Sequence, residues 1–353
     1  VRPVTFKPVA RAVFQLMYRF SPGSSKYWLK QTAERLVFRF TKSVHELPPI
    51  FHYWSNTYLR PEMERFGFSS PNDFFVQSVR SLSAQTRHPL RILSLGCGRG
   101  ELELAIAKSL QAQQAHFEFV GLDLTKDVID SASRAFETAG LGASFRGEAV
   151  DLNRWKAAGI FDVVIANQSL HHMVELEHLF TEVKKCLSKD GKFLISDMIG
   201  RNGHALWPEM LKEVENYWQK LPMHQRKDAA TGRIEARYYN HDSSKLGFEG
   251  IRAQDILPLL NQHFEFEFFF PFGGLVVPFV ERRIGRNFSI ESTTDIEFVD
   301  ALAKREAELF SALDVKPTQM LGALTLKGKH PNHQTLRFAH MTPASCIRPA
   351  DHS

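Results

Sequence analysis

The turn Gly96-Cys97-Gly98-Arg99-Gly100 narrows what this chain can fold into more than any other stretch. It follows directly on the apolar run Ile92-Leu93-Ser94-Leu95 and leads into an amphipathic stretch from Glu101 to Leu110. A strand, a glycine turn and a helix start, in that order, leave backbone N–H groups and a positive helix end facing a ligand at short range. Side chains in the turn would block that ligand or demand positive φ at a cost, which is why glycine recurs there. About 20 residues on, the next β-rich run ends at Val120-Gly121-Leu122-Asp123, where a carboxylate can accept both hydroxyls of a ribose. Turn and acid together point to an adenosine-containing ligand.

The spacing decides which one. A dinucleotide fingerprint places glycines first, third and sixth, and the sixth position here is Glu101. The observed order is first, third and fifth. A carboxylate at that helix start would also repel a pyrophosphate. A dinucleotide is therefore disfavoured, and an adenosine ligand without phosphate fits better.

Around the turn, short β-branched or aliphatic runs alternate with amphipathic runs, as in a βαβ sheet. Strands are predicted at about 91–95, 117–123, 143–150, 161–167, 192–198, 264–270 and 319–327. Helices are predicted near 100–112, 126–139, 175–187, 204–220 and 252–262, with a largely helical insertion up to about 313. The pattern predicts an α/β fold: a seven-stranded, doubly wound sheet with an antiparallel last strand. Residues 1–85 form a helical N-terminal cap, 86–330 the main domain, and 331–353 a loosely ordered tail with little periodicity. Segments at about 204–248 and 272–313 are too long for simple connections and would roof an acceptor site as lids.

At this point the chain resembles the class I S-adenosylmethionine-dependent methyltransferases, whose fold is Rossmann-like. Leu93 to Gly100 looks like the family's first motif, and Gly121-Leu122-Asp123-Leu124 like its second. Val150-Asp151-Leu152 resembles the third, where an acid and the following N–H read the adenine edge. The stretch from Phe161 to His172 is similar to the fourth, and Leu187 to Ile195 to the turn and strand of the fifth. A weaker likeness, through Trp218 to Pro222 and Phe248 to Leu260, is to a bacterial subgroup found with polysaccharide or secondary-metabolite pathways. The resemblance implies S-adenosylmethionine as cofactor, held by Ser94, Gly96, Cys97, Gly98, Gly100, Asp123, Leu124, Asp151, Leu152, Asn167 and Gln168. One departure stands out. The family usually has Asp or Glu where Ser94 stands, helping to place the methionine part of the cofactor.

Methyl transfer from a sulfonium is an in-line displacement, so the enzyme mainly aligns the acceptor and excludes water. An oxygen acceptor also needs its proton taken, a task suited to histidine. His171 and His172 follow the fourth strand, at the sheet edge where such folds hold ligands, and are the candidate general base; loop packing is the plain alternative. Adjacent side chains diverge, so no metal site is expected from this pair. Tyr53, Tyr58 and Arg60 could close over the cofactor's carboxylate from the cap, or simply pack, and Asp197 could face the acceptor or end its strand. The acceptor is read as a small molecule methylated at oxygen in a biosynthetic pathway. Nucleic-acid methylation and a cofactor-binding regulatory subunit are the alternatives, the first lacking a strand-end "NPPY"-type motif after the fourth strand.

The net charge of +5 is uneven, since residues 1–45 carry nine Lys and Arg against Glu34 alone. Two basic amphipathic helices predicted over 8–20 and 26–41 would contact an anionic membrane surface or cap the main domain. Nothing approaches the roughly 20 apolar residues of a membrane span. Three cysteines without pairing or ligand spacing, Cys97, Cys186 and Cys346, suggest a reduced, cytoplasmic protein.

Overall fold

A computed structural model describes Tyr27, Thr32 and residues 46–348, apart from 230, 246 and 329–333. Except for Tyr27 and Thr32, the two predicted basic helices lie outside these described residues.

The helices, in chain order, are α1 (Pro49–Trp54), α2 (Arg60–Glu64), α3 (Pro71–Ser83), α4 (Glu101–Ala112), α5 (Lys126–Thr138), α6 (Leu176–Cys186), α7 (Pro208–Trp218), α8 (Ala253–His263), α9 (Val277–Val280), α10 (Thr293–Ser311) and α11 (Pro343–Cys346). The strands are β1 (Leu90–Leu95), β2 (Phe117–Asp123), β3 (Phe145–Ala149), β4 (Phe161–Asn167), β5 (Leu187–Met198), β6 (Phe264–Phe272), β7 (Gln319–Leu326) and β8 (Thr335–Leu336). They form one sheet in the order β3-β2-β1-β4-β5-β7-β6-β8. The strands from β1 to β5 pair in parallel, whereas β7 runs antiparallel to both β5 and β6. The doubly wound sheet with an antiparallel late strand is as predicted. The count is eight, not seven, because the two-residue β8 adds to the edge beside β6. A two-residue run carries no periodicity to read.

From β1 the chain winds outward through α4, β2, α5 and β3, then returns to β4 on the other side and winds away. Right-handed crossovers put helices on opposite faces across that reversal. The reversal leaves a crevice between the carboxyl ends of β1 and β4, where Leu95 sits beside Ala166. Such switch points are where open α/β sheets hold ligands. The central strands are buried nearly throughout, as strands covered on both faces must be.

Weak periodicity predicts a loose tail, yet its described part is built into the fold. Met341 and Cys346 are buried, and the Arg348 guanidinium bonds the Glu209 carboxylate on α7 at 2.5 Å. These contacts come from distant elements and leave no local pattern. Among the described residues no helix is long and apolar enough to cross a membrane.

Candidate functional site

The glycine turn lies at the mouth of the switch-point crevice. Gly96, Gly98 and Gly100 have φ of +74°, +55° and +77°, the left-handed region that favours glycine. At Gly96 space is decisive as well, since an added Cβ would come within 2.6 Å of the Ser169 Cβ. An added Cβ at Gly98 would meet nothing within 4 Å, so that side of the turn is open to a ligand. Cys97 lies beneath, buried like Cys186 and Cys346, and burial raises its thiol pKa well above the ordinary value.

Asp123 closes the other side. Its carboxylate accepts from Gly98 N–H at 3.0 Å, and Val150 N–H donates to its carbonyl at 2.7 Å. The ends of β1, β2 and β3 are thereby tied together, bringing Asp151 and the buried Leu152 to the same edge. Burial raises the pKa of Asp123, against backbone N–H groups and the charge of His172. Leu124 follows half-buried, while Asn167 and Gln168 end β4; the Gln168 N–H donates to Ser196 O at 2.7 Å. Asp151 already has partners on both oxygens. Asn153 donates to one, and the Tyr27 hydroxyl donates to the other at 2.6 Å. The Tyr27 ring packs near Phe248 and lies under the Arg154 guanidinium.

Beyond the crevice lies a second cluster. Asp197, fully buried near the end of β5, accepts Ser169 N–H and Leu170 N–H on one oxygen at 3.0 and 2.7 Å. Its other oxygen takes Met198 N–H at 2.7 Å and contacts His171 Nδ1 at 2.6 Å. Four partners satisfy a carboxylate that no water reaches, and they fix the turn Leu170–His172 that carries the histidine. Asp197 therefore orients His171 from within the core, with its own oxygens taken up by protein partners.

The other ring nitrogen of His171 points to Glu249 at 3.5 Å, and Glu249 also bonds His204 Nε2 at 2.7 Å and lies 3.7 Å from His172 Nε2. Backbone bonds hold these loops together, Gly203 N–H to Gly250 O at 2.8 Å and Ile251 N–H to His171 O at 3.1 Å. His204 takes a positive φ of 56°, an uncommon backbone state for a side-chain-bearing residue. Burial opposes a charged His171 ring, but Asp197 and then Glu249 outweigh it and raise the imidazole to about 10. Burial also opposes ionisation of Glu249, yet its histidine neighbours hold it far below the usual carboxylate range. Among the described residues, His171, His204 and Glu249 bring their ligand atoms within 4.8 Å of one another, a spacing a divalent ion could use. The Glu249–His204 bond joins that cluster directly.

Residues 87–256 match a family described as a methyltransferase domain. Over that stretch the chain is similar to the class I S-adenosylmethionine-dependent methyltransferases. Among curated relatives, this methyltransferase domain is 26% identical over 155 residues to an uncharacterized methyltransferase of Bacillus subtilis, covering 42% of this chain and 54% of the relative. It is 28% identical over 131 residues to the malonyl-[acyl-carrier protein] O-methyltransferase of Legionella pneumophila, covering 37% and 41%. The chain thus spans about half the length of the curated relatives it matches. Among solved structures, an O-methyltransferase from a trans-AT PKS multienzyme of Brevibacillus brevis shares 14% identity over 87% of this chain and 86% of that one, with a TM-score of 0.43.

S-adenosylmethionine is the cofactor of this methyltransferase class, and the residues present fit it. The Asp123 and Asp151 carboxylates stand at the crevice edge, and behind it the buried Glu103 is bonded to Ser94 while its Oε2 has no hydrogen-bond partner among the described residues. That edge suits a cationic, phosphate-free nucleoside.

For three cap residues the contacts match the packing alternative. Tyr53 and Tyr58 both donate to Asp300 Oδ1, at 2.8 and 2.7 Å, and so tie their segment to α10. Arg60 pairs with Glu64 on the surface. Tyr27, Glu103 and Glu249 are residues that sequence reasoning missed. Glu103 leaves one trace: with Ala107 and Leu110 it lies on the helix's buried stripe, where a charge breaks the pattern.

Proposed function

We propose that this chain transfers the methyl group of S-adenosylmethionine to a hydroxyl oxygen of a small biosynthetic molecule, with His171 as general base. The observation that carries the reading is the Asp197–His171 pair at 2.6 Å, beside the cofactor crevice. When bound, the cofactor supplies an electrophilic methyl carbon and a leaving group that needs no proton. The remaining tasks fall to the protein. Asp197 locks Nδ1, so Nε2 faces the acceptor side and can accept a proton there. Glu249 stands 3.5 Å from Nε2, too close for an atom to fit between, so its half-exposed carboxylate has to swing aside for a hydroxyl to reach the ring. His172, with its ring centroid 4.3 Å from that of His171, lines the same wall.

Support for an oxygen acceptor comes from relatives named as O-methyltransferases, one acting on malonyl-[acyl-carrier protein] and another, in Mycolicibacterium smegmatis, on fatty acids. Trp207 and Tyr238 in the lid segment, both partly exposed, suit an apolar or sugar-like molecule. Residues 1–45 sum to +8, a charge that suits an anionic surface, while Tyr27 among them packs on the main domain as a cap would. The test is turnover on a panel of hydroxy acids and polyketide-like alcohols. His171→Ala should lower kcat about 100-fold while leaving S-adenosylhomocysteine affinity within about twofold. Full activity in both His171→Ala and His172→Ala would remove the base from this scheme.

A further inference from the structure

Glu103 sits on the first turn of α4, 2% exposed, within an otherwise apolar stripe. One carboxylate oxygen accepts from Ser94 Oγ at 2.6 Å. The other, Oε2, is buried and has no hydrogen-bond partner among the described residues. Its charged surroundings make this worse, since Asp123 and Glu101 are both acidic. Burial, ahead of these neighbours, raises the Glu103 carboxyl to about 7. No cation of the protein bonds it among the described residues. A buried acid left in that state is expensive, and such groups are retained where a ligand completes them.

Its position says which ligand group. Ser94, which holds Glu103, stands two residues before the glycine turn, where the resemblance drawn above leads one to expect an acid beside the methionine part of the cofactor. The serine looked like a loss. In the folded chain a carboxylate is present at that place after all, delivered from the helix instead of the strand.

We propose that Glu103 receives the α-ammonium group of S-adenosylmethionine, with Ser94 as the residue that holds it. The inference rests on the cofactor reading of the crevice and adds the residue that recognises the amino-acid end. The same arrangement explains how a serine at that position is compatible with tight binding.

Two ligands separate the parts. S-adenosylhomocysteine carries the amino-acid tail, whereas 5′-methylthioadenosine has the nucleoside and thioether without it. Calorimetric titration of the full chain should show Glu103→Gln weakening S-adenosylhomocysteine about tenfold or more. 5′-Methylthioadenosine should change by less than about twofold. The double variant Ser94→Asp with Glu103→Ala returns a carboxylate to the strand and should recover most of the lost affinity, while Glu103→Ala alone should not. The ligand-free Glu103→Gln protein should melt no lower than wild type at pH 8, because it loses a buried charge. Should it melt lower, the double variant carries the same comparison. Unchanged S-adenosylhomocysteine affinity in Glu103→Gln, or equal loss of both ligands, would overturn the assignment. A wild-type chain that binds neither ligand would instead overturn the cofactor reading beneath it.

Discussion

His171 faces opposing demands: a base must be free of its proton, yet Asp197 and Glu249 both favour keeping it. Its raised pKa, near 10, means the ring is mostly charged at neutral pH, and the reactive neutral form grows as pH rises. Below that value kcat/KM should climb about tenfold per pH unit with a single ionisation. His172 and His204, with ring centroids 4.3 and 5.0 Å from that of His171, also face the ring, but Glu249 is the removable carboxylate. Glu249→Gln takes away one of the two negative charges that hold the proton, so the His171 pKa falls. The rising limb of the pH–rate profile should then move to lower pH. A limb in the same place for Glu249→Gln and wild type would mean that His171 is not the titrating base.

The helical cap is fastened to the rest of the fold by polar contacts as well as by apolar burial. Asp300 on α10 receives the hydroxyls of Tyr53 and Tyr58, and burial, followed by that carboxylate, raises both phenols above their ordinary pKa. Asp300→Ala leaves two half-buried hydroxyls without their acceptor and should cost about 1–3 kcal/mol of stability. Denaturant melts would show it, and S-adenosylhomocysteine affinity should be nearly unchanged. A melt identical to wild type would mean the cap is held by its apolar side alone. Elements of this kind set the limit of what sequence discloses. The strands and the glycine turn were legible because period and spacing are local. Asp123 was legible because its distance from the turn is fixed by one βα unit. The Asp197–His171–Glu249–His204 cluster joins three loops through contacts that have no sequence spacing, so only His171 and Asp197 in it could be picked out. Glu103 showed merely as a charge in the wrong stripe, and Tyr27 left no sign.

At the scale of the whole molecule, the match to the methyltransferase family stops at residue 256, before β6 and β7. Those strands are not decoration, since β7 lies between β5 and β6 and pairs with both. A fragment of residues 87–315 would leave β5 and β6 with bare edges and uncover phenylalanines that are now buried, such as Phe269 and Phe270. It should collect in the insoluble fraction, or bind apolar dyes if solubilised; a soluble fragment with a cooperative melt would contradict this. The order of the strands also has a consequence in time. During synthesis β5 and β6 leave the ribosome well before the partner that must slide between them. The nascent chain therefore has to keep that slot open, or reopen it, until residues 319–326 emerge, and the intervening α10 segment sets how long the gap stays exposed.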